Sequence, residues 1–413
     1  MRIVFIADAR SPIARNWIMY YVERGHEVHV ISSYPCALGE LPGATVRPVP
    51  IAFSGFSRVR HDGTIGQAKS HTLLTPLLAS MRSGAIAGMV RTARHWLAPL
   101  DLQRHVGKMR RMINEVMPDL VHAMRIPFEG IIAAKATPPA FPLLVSVWGN
   151  DFTLFGSRGA MAGRYLRQTM RVVSALHCDC ERDLKLAKAW GFDTRKAAVV
   201  LPGAGGVQTK VFNPQAGSQK LRTALRVSAD APVIINPRGF RDYVRNDVFF
   251  RAIPLVLQAR PDAVFLSLAM KGNPIAENWL ERFGIADNVR LLPHMPRAEM
   301  AELFQLAMVT VSPSLHDGTP NTLLEAMACG CLPIAGDIES VREWISDGVN
   351  GLLCDPTDPA ALAQAILRAL NDTALHASAR RHNVELIAQR ADYEKVMSQS
   401  ESFYQQVIEQ AAK

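Results

Sequence analysis

Apolar residues open the chain as one unbroken run, Ile3 to Ala7, the pattern of a parallel strand buried on both faces. Ser11 then stands as a helix N-cap with Pro12 in the first helical position. Ile13, Ala14, Trp17, Ile18, Tyr21 and Val22 recur at helical spacing until Gly25 closes the helix. Glu27 to Ser33 is the next strand, so the opening predicts a βαβ unit. The turn after the first strand, Asp8-Ala9-Arg10-Ser11, lacks the G-x-G-x-x-G floor of a dinucleotide site, which argues against a nicotinamide or flavin dehydrogenase.

Asp119 to Ala123 and Leu143 to Val147 read as further buried strands, and residues 70–115 as helical with breaks at Pro76 and Pro99. Gly203, Gly205, Gly206, Pro214, Gly217 and Ser218 loosen the chain as an interdomain linker. A second strand–helix series follows, with strands at Val233–Asn236, Ala263–Ala269, Val289–Leu292, Val309–Val311, Leu332–Ala335 and Gly351–Cys354. The pattern predicts an α/β protein of two doubly wound domains facing a cleft, residues 1–205 and 206–390. Residues 391–413 add a helix, over roughly Tyr393 to Gln410, polar enough for the surface and expected to pack back on the first domain.

Composition narrows the class. The 413 residues are 48% hydrophobic and 20% charged, a globular profile long enough to bury large cores without staples. The longest uncharged stretch, Ala136 to Asn150, is prolyl-broken and shorter than the roughly 20 residues of a membrane span. No signal-peptide h-region opens the chain, so a cytoplasmic protein is expected. The cysteines form two C-x-C pairs, Cys178 with Cys180 and Cys329 with Cys331, a spacing unlike zinc ligands; buried thiols and no metal are expected.

The net charge of +9 is uneven: residues 58–111 hold ten Lys and Arg against two acids, a local excess of +8. Interleaved leucines and methionines make this a basic amphipathic stretch with two readings: contact with an anionic membrane surface, peripheral on the inner face of the cell membrane, or a cationic surface helix whose apolar face packs into the domain. Base-stacking aromatics are absent there apart from Trp96, so nucleic acid is not expected as a partner.

The chemistry concentrates in Ser312 to Pro333, SPSLHDGTPNTLLEAMACGCLP. A strand ends at Val311, a loop runs over Pro313 to Gly318, and a helix capped by Thr319 with Pro320 first runs to near Gly330. Its free amides, on residues such as Asn321 and Thr322, suit a phosphate. Asn321, Thr322 and Glu325 share one face, and Leu323, Leu324 and Met327 the core face, so Glu325 lies one turn behind a phosphate site, either as a carboxylate placed to accept two ribose hydroxyls or as an ordinary Glu on a solvated face.

This stretch resembles the C-terminal signature of family 4 retaining glycosyltransferases with the GT-B fold, S-x-x-E-G-x-x-x-x-x-L-E-A-M-A-x-G-x-P. Leu324 to Gly330 match closely, and Asp347 to Ile366, Arg24 to Ser32, Asp119 to Ala123 and Trp148 to Asp151 extend the similarity. The resemblance implies that Glu325 binds the nucleotide ribose. It places Asp317 near the donor sugar, with Gly318, Thr319, Asn321 and Thr322 around the diphosphate. Asp317 stands where the family has Glu, roughly 1.5 Å shorter in reach. Arg238 matches a diphosphate-neutralising Arg. The Lys that the family places after it is missing, and Arg245 is favoured over Arg241 in that role.

In the first, acceptor-binding domain the resemblance implies His122 at a strand end facing the cleft as a catalytic or sugar contact, with Met124 where many relatives have a second His. Trp148 replaces the His of H-G-x-D while Asp151 remains. Asp151, Arg10 and Glu129 are the expected acceptor contacts. The implied reaction moves a sugar from a nucleoside diphosphate sugar, UDP- or GDP-linked, to the hydroxyl of a sugar or lipid-linked acceptor, with retention of configuration. It belongs to glycan, glycolipid or cell-surface polysaccharide synthesis and needs no cofactor. The alternative is a weak or silent sugar-nucleotide-binding relative.

Overall fold

The computed structural model describes residues 1–37, 39, 41–54, 85–157 and 159–413. The charged stretch at residues 58–84, with the expected break at Pro76, lies outside the described residues.

The chain forms two compact units. The first comprises Met1–Asp179, Asp183–Ala204 and Ser400–Lys413, and the second Cys180–Arg182 and Gly205–Gln399. In the first unit the described strands are β1 (Arg2–Ala7), β2 (Glu27–Ser32), β3 (Thr45–Pro48), β4 (Leu120–Ala123), β5 (Leu143–Val147), β6 (Ala175–Cys178) and β7 (Ala197–Val200). They pair in parallel in the order β3-β2-β1-β4-β5-β6-β7. In the second unit β8 (Val233–Asn236), β9 (Val264–Ser267), β10 (Val289–Leu291), β11 (Val309–Ser312), β12 (Leu332–Gly336) and β13 (Leu352–Cys354) pair in the order β10-β9-β8-β11-β12-β13, again parallel. Each sheet is doubly wound: the chain steps outward on one side, then returns to build the other. The reversal falls between β1 and β4 in the first unit and between β8 and β11 in the second. In open α/β sheets such reversal points carry the ligand crevice at the strands' carboxyl ends.

Both faces of each sheet are covered, which is why the strands read as continuous apolar runs rather than alternating ones. On β8, Val233 and Ile235 enter one apolar cluster and Ile234 the opposite one, the period-2 geometry of a strand. On β9, Val264 and Leu266 face the first cluster and Phe265 the second.

Three strands, β3, β6 and β7, are not among those expected from the sequence, although β7 reads Ala-Ala-Val-Val. β6 reads Ala-Leu-His-Cys, and its His177 is buried all the same. One expectation is corrected. The helix Ala85–Val116 runs through Pro99 without a break. Its inward residues Leu102, Met109, Met112 and Ile113 join the core cluster, and that burial outweighs the roughly 3 kcal/mol of an interior proline. The last helix, Tyr393–Ala411, is exposed on one face, through Glu394, Lys395, Gln405 and Gln406, while Val396, Met397, Ser400, Phe403, Tyr404 and Val407 form a buried stripe on the other, and its part from Ser400 belongs to the first unit. No helix among the described residues is long and apolar enough to cross a membrane.

Candidate functional site

The second unit's reversal point brings together two loops that the sequence separates by nearly eighty positions. After β8 the loop is folded on itself. The Asn236 side-chain Oδ1 accepts from the Arg238 backbone N–H (3.1 Å), its side-chain amide Nδ2 donates to Asn246 Oδ1 (2.8 Å), and Asn246 Nδ2 donates back to the Gly239 carbonyl (3.3 Å). After β11, the Leu315 N–H donates to the Tyr243 carbonyl (2.8 Å), locking the second loop to the first. Across this seam Arg238 Nη1 donates to Asp317 Oδ2 at 2.6 Å, both side chains being largely buried. Asp317 Oδ1 accepts from the Gly318 N–H (3.1 Å). The Asp317 carbonyl is held by Ser340 Oγ (2.7 Å) and by Nη1 of Arg182 (2.6 Å), a buried residue of the short Cys180–Arg182 segment that belongs to this unit.

The helix that follows spans Asn321–Ala328, and its N-cap is Pro320, with φ −78° and ψ 98°. Thr319 is therefore not the cap. Its Oγ1 accepts from Trp344 Nε1 (3.3 Å), which draws the hydroxyl sideways, and the helix starts one residue later than the sequence suggests. The Pro320 carbonyl accepts the N–H groups of Leu323 and Leu324. Those of Asn321 and Thr322 have no acceptor among the described residues, so the amides at the helix start remain available to an anion. Gly318 and Thr319 are buried in the same loop, and Asn321 and Thr322 are half-buried.

Glu325 lies one turn further, 8% exposed, while Leu323, Leu324 and Met327 are fully buried. No hydrogen bond or ion pair to its carboxylate occurs among the described residues. Burial pushes the carboxyl up to about 7, and the nearby Arg297 charge offsets only part of this. Such a group is short of donors, and the hydroxyl pair of a ribose supplies two. Arg245 has a different setting. It sits in the left-handed region (φ 54°) at the start of the helix Asn246–Ala259 and is bound bidentately by Asp247 (2.9 and 3.0 Å). It makes no contact with Arg238 or Asp317 among the described residues. Arg241 donates to the Tyr243 hydroxyl (2.9 Å).

In the first unit two expectations are corrected. His122 does not face an open cleft: it is fully buried, with Nδ1 bonded to the Tyr404 hydroxyl and Nε2 to Ser146 Oγ (2.7 Å). Burial, helped by the neighbouring His177, holds it well below the usual histidine range, so it is a neutral structural group. Asp151 is not a spare acceptor for a substrate hydroxyl either. It is fully buried and takes Arg125 (3.0 Å) and the N–H groups of Trp148 (3.1 Å) and Ile126 (3.3 Å). Arg10 lies at the β1 end, gripped by Asp8 (3.0 Å through both nitrogens) and lying 3.9 Å from the centre of the Tyr34 ring. Glu129 is buried, accepts from Ser33 Oγ (2.6 Å) and is raised by burial to about 7. Arg10 and Glu129 thus flank the first unit's own reversal point. Sequence reasoning missed Arg182, Ser340 and Trp344, none of which stands in a recognisable motif.

Two parallel doubly wound units with this strand order define the GT-B fold. The whole chain superposes on sucrose-phosphate synthase from Thermosynechococcus elongatus with a TM-score of 0.75 at 15% identity, covering 100% of both chains. It also superposes on Alr3699/HepE of Anabaena in complex with UDP, with a TM-score of 0.71 at 17% identity over 97% of this chain and 99% of that one. Residues 232–372 match the family described as Glycosyl transferases group 1. In sequence the chain is 33% identical over 202 residues to a D-inositol 3-phosphate glycosyltransferase from Thermobispora bispora, 45% of this chain and 46% of that protein. The matched part thus spans about half the length of the curated relatives. These findings bear out the resemblance read from the signature and the GT-B fold it implied.

Proposed function

We propose that the protein is a retaining glycosyltransferase that takes a sugar from a nucleoside diphosphate sugar and passes it to a hydroxyl acceptor. The observation that carries this reading is the donorless Glu325 carboxylate one turn behind the open amides of Asn321 and Thr322, with Arg238 at the same strand ends. In this reading the amides and the guanidinium meet the diphosphate and the carboxylate takes the ribose. The bond between the anomeric carbon and the β-phosphate oxygen breaks. The acceptor oxygen bonds to the same face of the carbon, and its proton passes to the leaving phosphate. Arg238 stabilises the charge that develops on that phosphate, which needs no resident cofactor. The Anabaena neighbour, solved with UDP, supports a uridine donor, with a guanosine donor as the other choice.

The first unit supplies the acceptor contacts in this reading, through Arg10 and Glu129. Arg104, Lys108 and Arg111 are exposed at i, i+4 and i+7 on the helix Ala85–Val116, which supports contact with an anionic membrane and a lipid-linked or cell-surface acceptor.

Calorimetric titration with UDP and GDP tests the donor site. One of the two binds wild type, and Glu325→Ala weakens it at least about tenfold, the scale of two hydrogen bonds to a charged group. Unchanged affinity in the variant removes the assignment. Binding without release of nucleoside diphosphate from its sugar derivative, in the presence of acceptors, would mark a silent sugar-nucleotide binder.

A further inference from the structure

We propose that Asp317 is a positioning residue for Arg238, holding the guanidinium that meets the donor diphosphate, and is not a ligand of the transferred sugar. The inference rests on the donor-site reading above. Both carboxylate oxygens of Asp317 are engaged: Oδ1 by the N–H of the next residue, Gly318, at 3.1 Å, and Oδ2 by Arg238 Nη1 at 2.6 Å. The side chain is turned back into its own loop, and the loop is pinned at the same residue through its carbonyl by Arg182 and Ser340. These bonds leave lone pairs on both oxygens, but Asp317 is only 9% exposed and its carboxylate is already shared between the loop amide and the guanidinium, so its geometry serves the arginine first.

Arg238 gains from the arrangement. Its backbone is fixed by Asn236, but a long side chain on a loop needs a second anchor to aim it. Asp317 occupies one of the five guanidinium N–H donors, and the Tyr243 hydroxyl stands beside the group; an arginine so anchored keeps donors for phosphate oxygens. The shorter side chain of Asp explains the geometry. A Glu would carry the carboxylate beyond the Gly318 amide, whereas Asp closes a turn on that amide and meets the arginine from within the seam.

The test is a double-mutant cycle on the full chain between Asp317→Asn and Arg238→Gln, read by turnover and by calorimetry. Wild type is titrated with UDP and GDP, and the one that binds is compared with its glucose derivative. Positioning predicts that Asp317→Asn lowers kcat at least about tenfold. It also predicts that the affinities for the bare nucleotide and for the sugar nucleotide shift by the same factor. On the Arg238→Gln background, Asp317→Asn changes each quantity less than about twofold. A loss confined to the sugar nucleotide, or an effect that persists without Arg238, overturns the proposal and returns Asp317 to the sugar. Thermal melting of each variant shows whether a loss is one of folding. Failure of wild type to bind either nucleotide overturns the donor-site reading itself, and this inference with it.

Discussion

Glu325 carries a free-energy burden that a ligand is positioned to relieve. Its carboxyl is raised from an ordinary 4.5 to about 7 by burial. Between those values the folded chain keeps a proton that the unfolded chain releases, so stability falls as pH rises through the window and is flat above it. The scale is on the order of 3 kcal/mol, from the shift of 4.5 to about 7. Glu325→Gln removes the burden. Its melting temperature, close to that of wild type at pH 5, exceeds wild type by several degrees at pH 8, and equal melting curves at both pH values would show that the carboxyl is not strained. The ribose contact proposed for Glu325 would favour the ionised form, so affinity for a sugar nucleotide is expected to rise from pH 5.5 to 7.5 in wild type and to be level in Glu325→Gln. A sugar nucleotide is the right probe because its diphosphate does not titrate there.

At the scale of elements, the second unit's six strands were legible because strands buried on both faces are continuous apolar runs, as Val233–Asn236 and Leu332–Gly336 are. In the first unit β6 was not, because His177 interrupts its run and only the fold shows that the ring is buried between Ser146 and the Leu201 carbonyl. The Glu325 helix was legible from its stripe, but its first residue was not, because the competitor for the Thr319 hydroxyl is Trp344, twenty-five positions on. His122 misled for the same reason: its partner Tyr404 is 282 residues away. A close approach that no local pattern announces also shapes the site loop. A Cβ on Gly336 would lie 2.5 Å from the Ser314 carbonyl oxygen and 3.3 Å from its amide nitrogen. Neither backbone atom can rotate away, so Gly336→Ala moves the Pro313–Gly318 loop. We expect a loss of about 1–3 kcal/mol in denaturant unfolding, the range for overpacking, together with weaker sugar-nucleotide binding. An unchanged affinity would show that the loop's position is not tied to β12.

At the scale of the molecule, the chain builds the first unit, then the second, and returns at Ser400 to finish the first. What the returning segment completes is a polar network inside an apolar core. The Tyr404 hydroxyl accepts from Trp17 Nε1 (2.9 Å) and bonds His122, which reaches Ser146 and through it His177 (2.8 Å). Ser400 bonds the Tyr21 hydroxyl (2.7 Å), and Tyr21 stacks on Tyr404 with ring centres 4.6 Å apart. His177 is lowered by burial from 6.5 to about 4, so it is neutral in the fold. The unfolded chain binds its proton first, and stability drains away as pH falls through 6.5 towards 4, opposite in sign to Glu325. Tyr404→Phe keeps the stacked ring but leaves the Trp17 N–H and the His122 nitrogen without their partner, at about 1–3 kcal/mol. The residues proposed for the donor site, by contrast, all belong to the second unit. The expected result is therefore a split: faster amide exchange at β1 and β4 in Tyr404→Phe, with nucleotide affinity within twofold of wild type. If affinity fell along with first-unit stability, the donor site would depend on the first unit's core, and the separation of roles argued for the two units would fail.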